Sequence, residues 1–364
     1  MLKPLSGRAG GRRNMSGIDS DQRVDWIDHA KGICIVAVVS FYATFYVHGM
    51  VGAEGWMKYW VEFARPFRMP DFFLISGLFL ARAIDRPWTP YVDKKIVHFM
   101  YFFALWTTIY FTAAALKGEF GADQVLWQEY LWWYIDPFHM LWFIAMLPVY
   151  FLVTRLLKPV PWAIVLLLAA ALQVWGPETG FRQLDRFGER YVYFYIGYMF
   201  APLVFGIAEK TKAHTRHAIA ILACWAILNE ALVLGGFSEK PGVSLGLGVV
   251  GAFAVIMVAS LLAQLHWMDW LRYLGEHSIV IFLAFFGFMV VSARALHLID
   301  IAWNVGLLTL LTTIGAISGS IVIYWIVRRG PLKLLFERPS WATIRMRSRP
   351  PTAARPSISR VPVP

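Results

Sequence analysis

Charge is scarce in this chain. Asp, Glu, Lys and Arg make up 16% of its 364 residues, against about 25% in an ordinary soluble domain. Hydrophobic residues make up 58%, and no long polar segment interrupts them, which excludes a soluble globular fold for most of the chain. Cysteine is scarcer still. Cys34 and Cys224 both fall in apolar runs, which excludes a disulfide framework and any CxxC-type metal centre, and each reads as a small core residue. Neither a Walker pattern nor a GxGxxG turn placed after a strand is present, so the common nucleotide cradles are excluded as well. The formal net charge of +11 raises the question of nucleic acid. The basic residues lie in alternate loops and at the two tails rather than in one patch, so no nucleic-acid partner is expected.

What the chain has in abundance is apolar runs. Ten are long enough to be spans: 32–52, 67–83, 98–116, 138–156, 160–175, 191–208, 218–237, 243–265, 278–298 and 302–327. A hydrocarbon core of about 30 Å needs roughly 20 residues at 1.5 Å per residue. The expected fold is an all-α polytopic membrane protein of about ten transmembrane helices. The first run follows a basic leader and lacks an A-x-A-like cleavage site, so it reads as a span rather than a cleaved signal peptide. Three regions follow: a basic leader (1–31), a membrane domain (32–327), and a tail (328–364) rich in Pro, Arg and Ser that is expected to be disordered.

Lys and Arg set the expected orientation. Of 34 in the chain, 25 fall in the leader, the tail and the loops on their side of the ten-span scheme, and 9 on the other side. That asymmetry predicts both termini in the cytoplasm. Residues 128–134 (QEYLWWY) have the aromatic content of a short helix lying at the outer interface. The basic tail is suited to anionic lipid.

A few charges sit where a bilayer resists them. In residues 66–80 (PFRMPDFFLISGLFL), Arg68 and Asp71 stand three positions apart at the head of an apolar run. An ionisable group at mid-bilayer costs about 2.5–3.5 kcal/mol on insertion scales. Such groups are kept inside the bundle, paired, or around a polar cavity. Arg68 and Asp71 are spaced to pair on one helix face, either as a structural ion pair or as part of a working polar site.

Four segments occur in order: residues 23–33 (RVDWIDHAKGI), 69–77 (MPDFFLISG), 139–144 (HMLWFI) and 274–279 (LGEHSI). Together they resemble signatures of the acyltransferase-3 family of bacterial integral membrane acyltransferases, and the likeness extends over most of residues 23–327. The resemblance implies transfer of an acyl group, often acetyl from acetyl-CoA, to a carbohydrate or related envelope acceptor. The donor would be cytoplasmic and the acceptor on the far side of an inner membrane. The family carries Arg and, eleven positions later, a His proposed as catalytic base or acyl relay. This chain has Lys31 and Tyr42 there. Lys keeps the charge but loses the planar fork, and a phenol with a pKa near about 10 is a poor base at neutral pH. Phe285 likewise stands where a His often closes the family's late segment. These departures bear on catalysis more than on fold.

With that resemblance in hand, the polar residues sort into roles. Lys31 and Tyr42 lie within about 20° of one helix face, roughly 16 Å apart along it. They read as a cation for the donor and a hydroxyl that orients the acyl group, or as a snorkelling anchor and a packed core residue. Arg68 would stabilise negative charge on an acyl intermediate, and Asp71 would hold a neighbouring base. His48 and Glu230 are candidate bases for the acceptor hydroxyl; the alternatives are an interfacial histidine and an internal salt bridge. Arg82, Lys94 and Lys95, with Lys31, are candidates for the phosphates of coenzyme A, although the positive-inside rule alone would put cations there. His139, Trp142 and Arg190 are assigned to the acceptor. No bound cofactor or metal is expected; acyl-CoA enters as donor substrate. The competing expectation is an exporter of a glycan or lipid-linked substrate, or a catalytically inactive acyltransferase-like protein.

Overall fold

The structure, a computed structural model, describes residues 24–121, 125–176, 178–299 and 304–344. Its first helix, α1 (Asp25–Val51), begins seven residues before the apolar run does, because Asp25 and Asp28 occupy a first turn that favours negative charge. It stops at Gly52, whose φ of 72° is the left-handed conformation that glycine adopts freely. Next comes α2 (Met57–Ala81), which holds Pro66 and Pro70 inside it. Each proline removes one N–H from the helix ladder, so the ladder is weakest around Arg68.

Twelve further α-helices complete the described fold. They are α3 (Trp88–Val92), α4 (His98–Leu116), α5 (Leu126–Ile135), α6 (Trp142–Leu156), α7 (Trp162–Trp175), α8 (Arg182–Met199), α9 (Ala201–Ala213), α10 (Thr215–Leu234), α11 (Val243–Leu262), α12 (Asp269–Glu276), α13 (Ser278–Leu298) and α14 (Val305–Val327). A π-turn, Asp93–Val97, joins α3 to α4, and a 3-10 turn, His139–Leu141, leads into α6. The helix expected over 128–134 is present as α5. Among the described residues there is no strand.

Among the described residues, seven helical stretches are long and apolar enough to cross a membrane, and eight if α8 and α9 count as one broken span. The sequence reading had ten. One expected span, 160–175, is the 14-residue α7. A second, 67–83, belongs to α2, whose Lys58, Glu62, Arg65, Arg68 and Asp71 make it too charged to pass on composition. A third, 191–208, is not one straight helix: α8 and α9 meet at a bend of 74°. Pro202 explains the break, since it has no N–H and its ring crowds the preceding turn.

Two crossings set the interior. α2 packs against α8, and α1 against α12. At the first, a Cβ on Gly77 would overlap the Phe194 carbonyl, and one on Gly197 would overlap the Leu74 carbonyl. At the second, Gly32 faces the Leu271 carbonyl and Gly275 the Asp28 carbonyl in the same reciprocal way. Small residues let backbones approach closely where apolar solvent offers no drive for helix association. The core between these helices is aromatic, with Phe73, Tyr150, Phe151, Phe194 and Phe285 fully enclosed. By contrast α10 buries only Ala218 and Asn229 and turns Ile219, Ile221, Ile227 and Leu228 outward.

The described part of the tail is ordered where disorder was expected. Residues 331–344 fold back on the bundle instead of remaining unstructured. The Leu334 and Leu335 carbonyls accept hydrogen bonds from Tyr101 and Trp106. Arg338 donates to the Asp93 carboxylate at 2.6 Å and to its carbonyl at 2.7 Å. Residues 1–23 of the leader and 345–364 of the tail lie outside the described residues.

Candidate active site

α1, α2, α6, α8 and α13 converge on a cavity of about 280 Å³. α1 supplies Val38, Phe41 and Tyr42; α2 supplies Arg68 and Met69; α8 supplies Arg186 and Arg190. His139, Met140, Trp142 and Phe143 come from the start of α6 and the turn before it, and Phe282 from α13. Tyr42, Arg68, His139, Trp142 and Arg190 were all expected at a site, from four separate stretches of sequence, and the fold brings these five together.

The geometry inside is specific. Tyr42 and Trp142 line the cavity side by side. Arg68 is buried, with its guanidinium carbon 3.7 Å from the centre of the Phe41 ring. The Trp142 ring is flanked by Arg186 at 5.1 Å and Arg190 at 5.0 Å. His139 stacks on Phe286, with centroids 5.5 Å apart. Its φ of 30° is the one positive value at a non-glycine position among the described residues. Such conformations cost of order 1–3 kcal/mol and persist where the surroundings demand them. Here the strain turns an imidazole into the cavity.

Arg68 and Asp71 do not form the expected pair. Asp71 accepts a hydrogen bond from the Cys34 thiol across the α1–α2 interface. Cys34 is therefore a buried core residue, as read from the sequence, with a polar bond added. The reason lies in direction: Arg68 leans over Phe41 toward the cavity, and Asp71 is 1% exposed beneath it.

A second cavity, of about 220 Å³, lies on the other side of an aromatic wall. Phe143 and Phe282 line both cavities, with ring centroids 5.4 Å apart. Phe72 packs on Phe143 at 5.3 Å and closes the second cavity from α2. Lys31 and Lys95 both line it. Lys31 bonds Asp28 at 3.0 Å and lies over Phe79, while Lys95 lies over Phe151. Of the four cations assigned to the donor, these two share a cavity. Arg82 instead lies over Phe205, and Lys94 is exposed; neither lines it.

The two expected bases stand apart from Tyr42. His48 is exposed at the end of α1, beside the Ala53 carbonyl at 3.2 Å, and lines a separate cavity with Glu54, Lys58, Glu62 and Arg65. Glu230 is half-buried on α10, next to Asn229, which donates to the Phe63 carbonyl at 2.9 Å; it lines neither of the two central cavities. Sequence reasoning missed Arg186. The signal was present: Arg182, Arg186 and Arg190 recur every four residues and so share one helix face. Arg182 spends its charge on Asp136, and the other two reach the cavity.

Among the described residues, no group of His, Cys, Asp and Glu is arranged to hold a metal ion. The model of a family described as an acyltransferase domain, acyltransferase-3, matches residues 24–325. The chain is also 39% identical over 94 residues to an inner membrane protein of Escherichia coli (strain K12), YcfT. That match covers 23% of this chain and 26% of that protein, so it spans about a quarter of the relative's length. No solved structure matches.

Proposed function

The chain belongs to the acyltransferase-3 family, and on that premise we propose that it moves an acyl group, acetyl in the first instance, from acyl-CoA to a hydroxyl of an envelope or secreted carbohydrate. It does so in a bacterial inner membrane with both termini in the cytoplasm. The observation that carries the reading is the pair of cavities meeting at Phe143 and Phe282, one lined by lysines and the other by arginines, a tyrosine and a histidine. Under the positive-inside orientation the lysine cavity faces the cytoplasm. Lys31 and Lys95 meet the donor's phosphates there. Its thioester reaches past the phenylalanine pair, and the acceptor hydroxyl enters from the opposite side.

The chemistry is a carbonyl addition and elimination. The acceptor oxygen attacks the thioester carbonyl and gives its proton to a base. The tetrahedral oxyanion collapses, the C–S bond breaks, and coenzyme A leaves as thiolate, which takes up a proton. His139 is the one imidazole lining the cavity, so the base role moves to it from His48 and Glu230. The Tyr42 hydroxyl orients the carbonyl. Arg68, itself buried, stabilises the oxyanion. Tyr42 in the family's histidine position is compatible with this division, because a phenol can donate a hydrogen bond without acting as base.

The test uses inverted membrane vesicles containing the protein and acetyl-CoA labelled in the acetyl group. Label should enter the envelope glycan or lipid fraction only with the protein present, and should fall at least about a hundredfold in His139→Gln, the usual scale of general-base loss. Arg68→Ala should abolish it. No protein-dependent label from folded protein with acceptor present would refute the reading and favour an exporter or a catalytically silent scaffold.

A further inference from the structure

The Tyr42 cavity holds more positive charge than acyl transfer to a neutral hydroxyl requires. Arg68, Arg186 and Arg190 all line it, and among the described residues no acidic side chain does. Arg190 is the best compensated, through its neighbour Glu189. Arg68 is 8% exposed, and its Nε and Nη1 are buried without a hydrogen-bond partner; Arg186 Nη1 is in the same condition. Buried polar groups are hydrogen-bonded in the great majority of cases, and an orphan donor asks for an explanation. The cavity around His48 makes the contrast: it too is rich in charge, but Lys58 pairs with Glu54 and Glu62, and Arg65 pairs with Glu239 at 2.6 Å.

One guanidinium is enough for the oxyanion, which leaves two, a helical turn apart on α8. A guanidinium is a planar fork suited to carboxylate and phosphate, and it is the residue of choice where such groups are bound out of water. Both guanidinium groups lie about equally close to the Trp142 ring, at 5.1 Å and 5.0 Å. Unpartnered donors and a lining without a carboxylate among the described residues point the same way.

We propose that this cavity is a receptor for an anionic group, carboxylate or phosphate, carried by the substrate and bound by Arg186 and Arg190. The inference deepens the acyl-transfer reading and rests on it for the word substrate. The anion could arrive on the acceptor, as an acidic or phosphorylated sugar, or on the donor, as the free carboxylate of a dicarboxylic acyl group.

The test reads binding, not transfer. The full chain in nanodiscs of zwitterionic lipid is titrated with methyl glucuronide, methyl glucoside and inorganic phosphate, by calorimetry and by thermal shift. The glucuronide or phosphate should bind and stabilise, and the uncharged glucoside should bind at least tenfold more weakly. Arg186→Gln with Arg190→Gln should weaken the anionic probe at least tenfold, and the corresponding double Lys variant should recover part of the loss. The Lys variant also keeps the test open if the Gln variant fails to fold. Equal binding of glucuronide and glucoside, no binding of either anion, or undiminished binding in the folded Gln variant would each overturn the proposal. Displacement of labelled coenzyme A by succinyl-CoA and acetyl-CoA then separates the sources. A preference for succinyl-CoA that the Gln variant loses assigns the anion to the donor; equal displacement, with glucuronide bound, assigns it to the acceptor. Anion binding without any acyl transfer would keep the receptor and discard the enzyme reading.

Discussion

Replacing Gly77 by alanine adds one methyl group where two helices have no room for it. The new Cβ would overlap the Phe194 carbonyl oxygen and lie 2.8 Å from the Tyr198 amide nitrogen, both backbone atoms of α8 that no rotamer change can move. Relief requires α2 and α8 to separate by about an ångström, which forfeits a quarter or more of the dispersion energy of every contact along the crossing. Overpacking of this kind costs about 1–3 kcal/mol, or a fall in Tm of roughly 2–6 °C for a chain of this size. Gly197→Ala strikes the same crossing from the other side, against the Leu74 carbonyl, and should cost a similar amount. The double variant should cost clearly less than the sum, because one separation relieves both overlaps. Gly287→Ala is the reference. It lies in α13 with nothing within 4 Å of its Cβ, so it should stay within about 1 kcal/mol of the parent, the scale of helix propensity. Thermal unfolding in one detergent at one scan rate measures all four. A Gly77→Ala Tm equal to that of Gly287→Ala, or strict additivity in the double variant, would refute the argument that this glycine pair sets the helix spacing.

Three further outcomes are expected. Arg338→Ala leaves the Asp93 carboxylate, 10% exposed at its side chain, without its cation; breaking one side of a buried pair costs about 3–5 kcal/mol, read as a lower Tm and as new protease cleavage within 331–344. A cleavage pattern identical to the parent's would count against the packed tail. Lys95→Gln should raise KM for acyl-CoA about tenfold, the scale of one charge-assisted hydrogen bond, with kcat within about twofold; a loss confined to kcat would take Lys95 out of donor binding. Tyr42→His puts an imidazole beside Arg68 and Trp142, and should raise turnover by about tenfold or more if base strength limits the rate; steady-state assays with turnover unchanged or lower would exclude that limit.

The glycines of the sequence segments gain a physical meaning from the fold. Gly32, Gly77 and Gly275 stand in three of the four segments that resemble the acyltransferase-3 signatures, and each lies at a backbone contact between helices. The resemblance therefore reports helix spacing as much as chemistry. Of the side chains that line the cavities, Lys31, Arg68 and His139 lie in or beside the same segments.

The sequence by itself determined the class of this protein, because hydrophobicity and length are local properties that a bilayer reads segment by segment. The apolar cores of 98–116 and 278–298 coincide with α4 and α13 to the residue. With the family resemblance, it also named Tyr42, Arg68, His139, Trp142 and Arg190 as candidate site residues. Only the tertiary structure decided which of them meet. His48 is six residues from Tyr42 along α1 yet opens onto a different cavity, while Arg190 lies 148 positions away and shares one with it. The pairing of Arg68 with Asp71 was plausible from spacing, but the lean of Arg68 over Phe41 and the thiol of Cys34 decided otherwise. Likewise nothing local says that residues 331–344 fold back, since the carbonyls of Leu334 and Leu335 find their donors on α4, more than 200 residues earlier. Composition fixes where a segment can reside; which side chains share a cavity depends on helix rotation and close approach, and those are set by contacts between residues far apart in the chain.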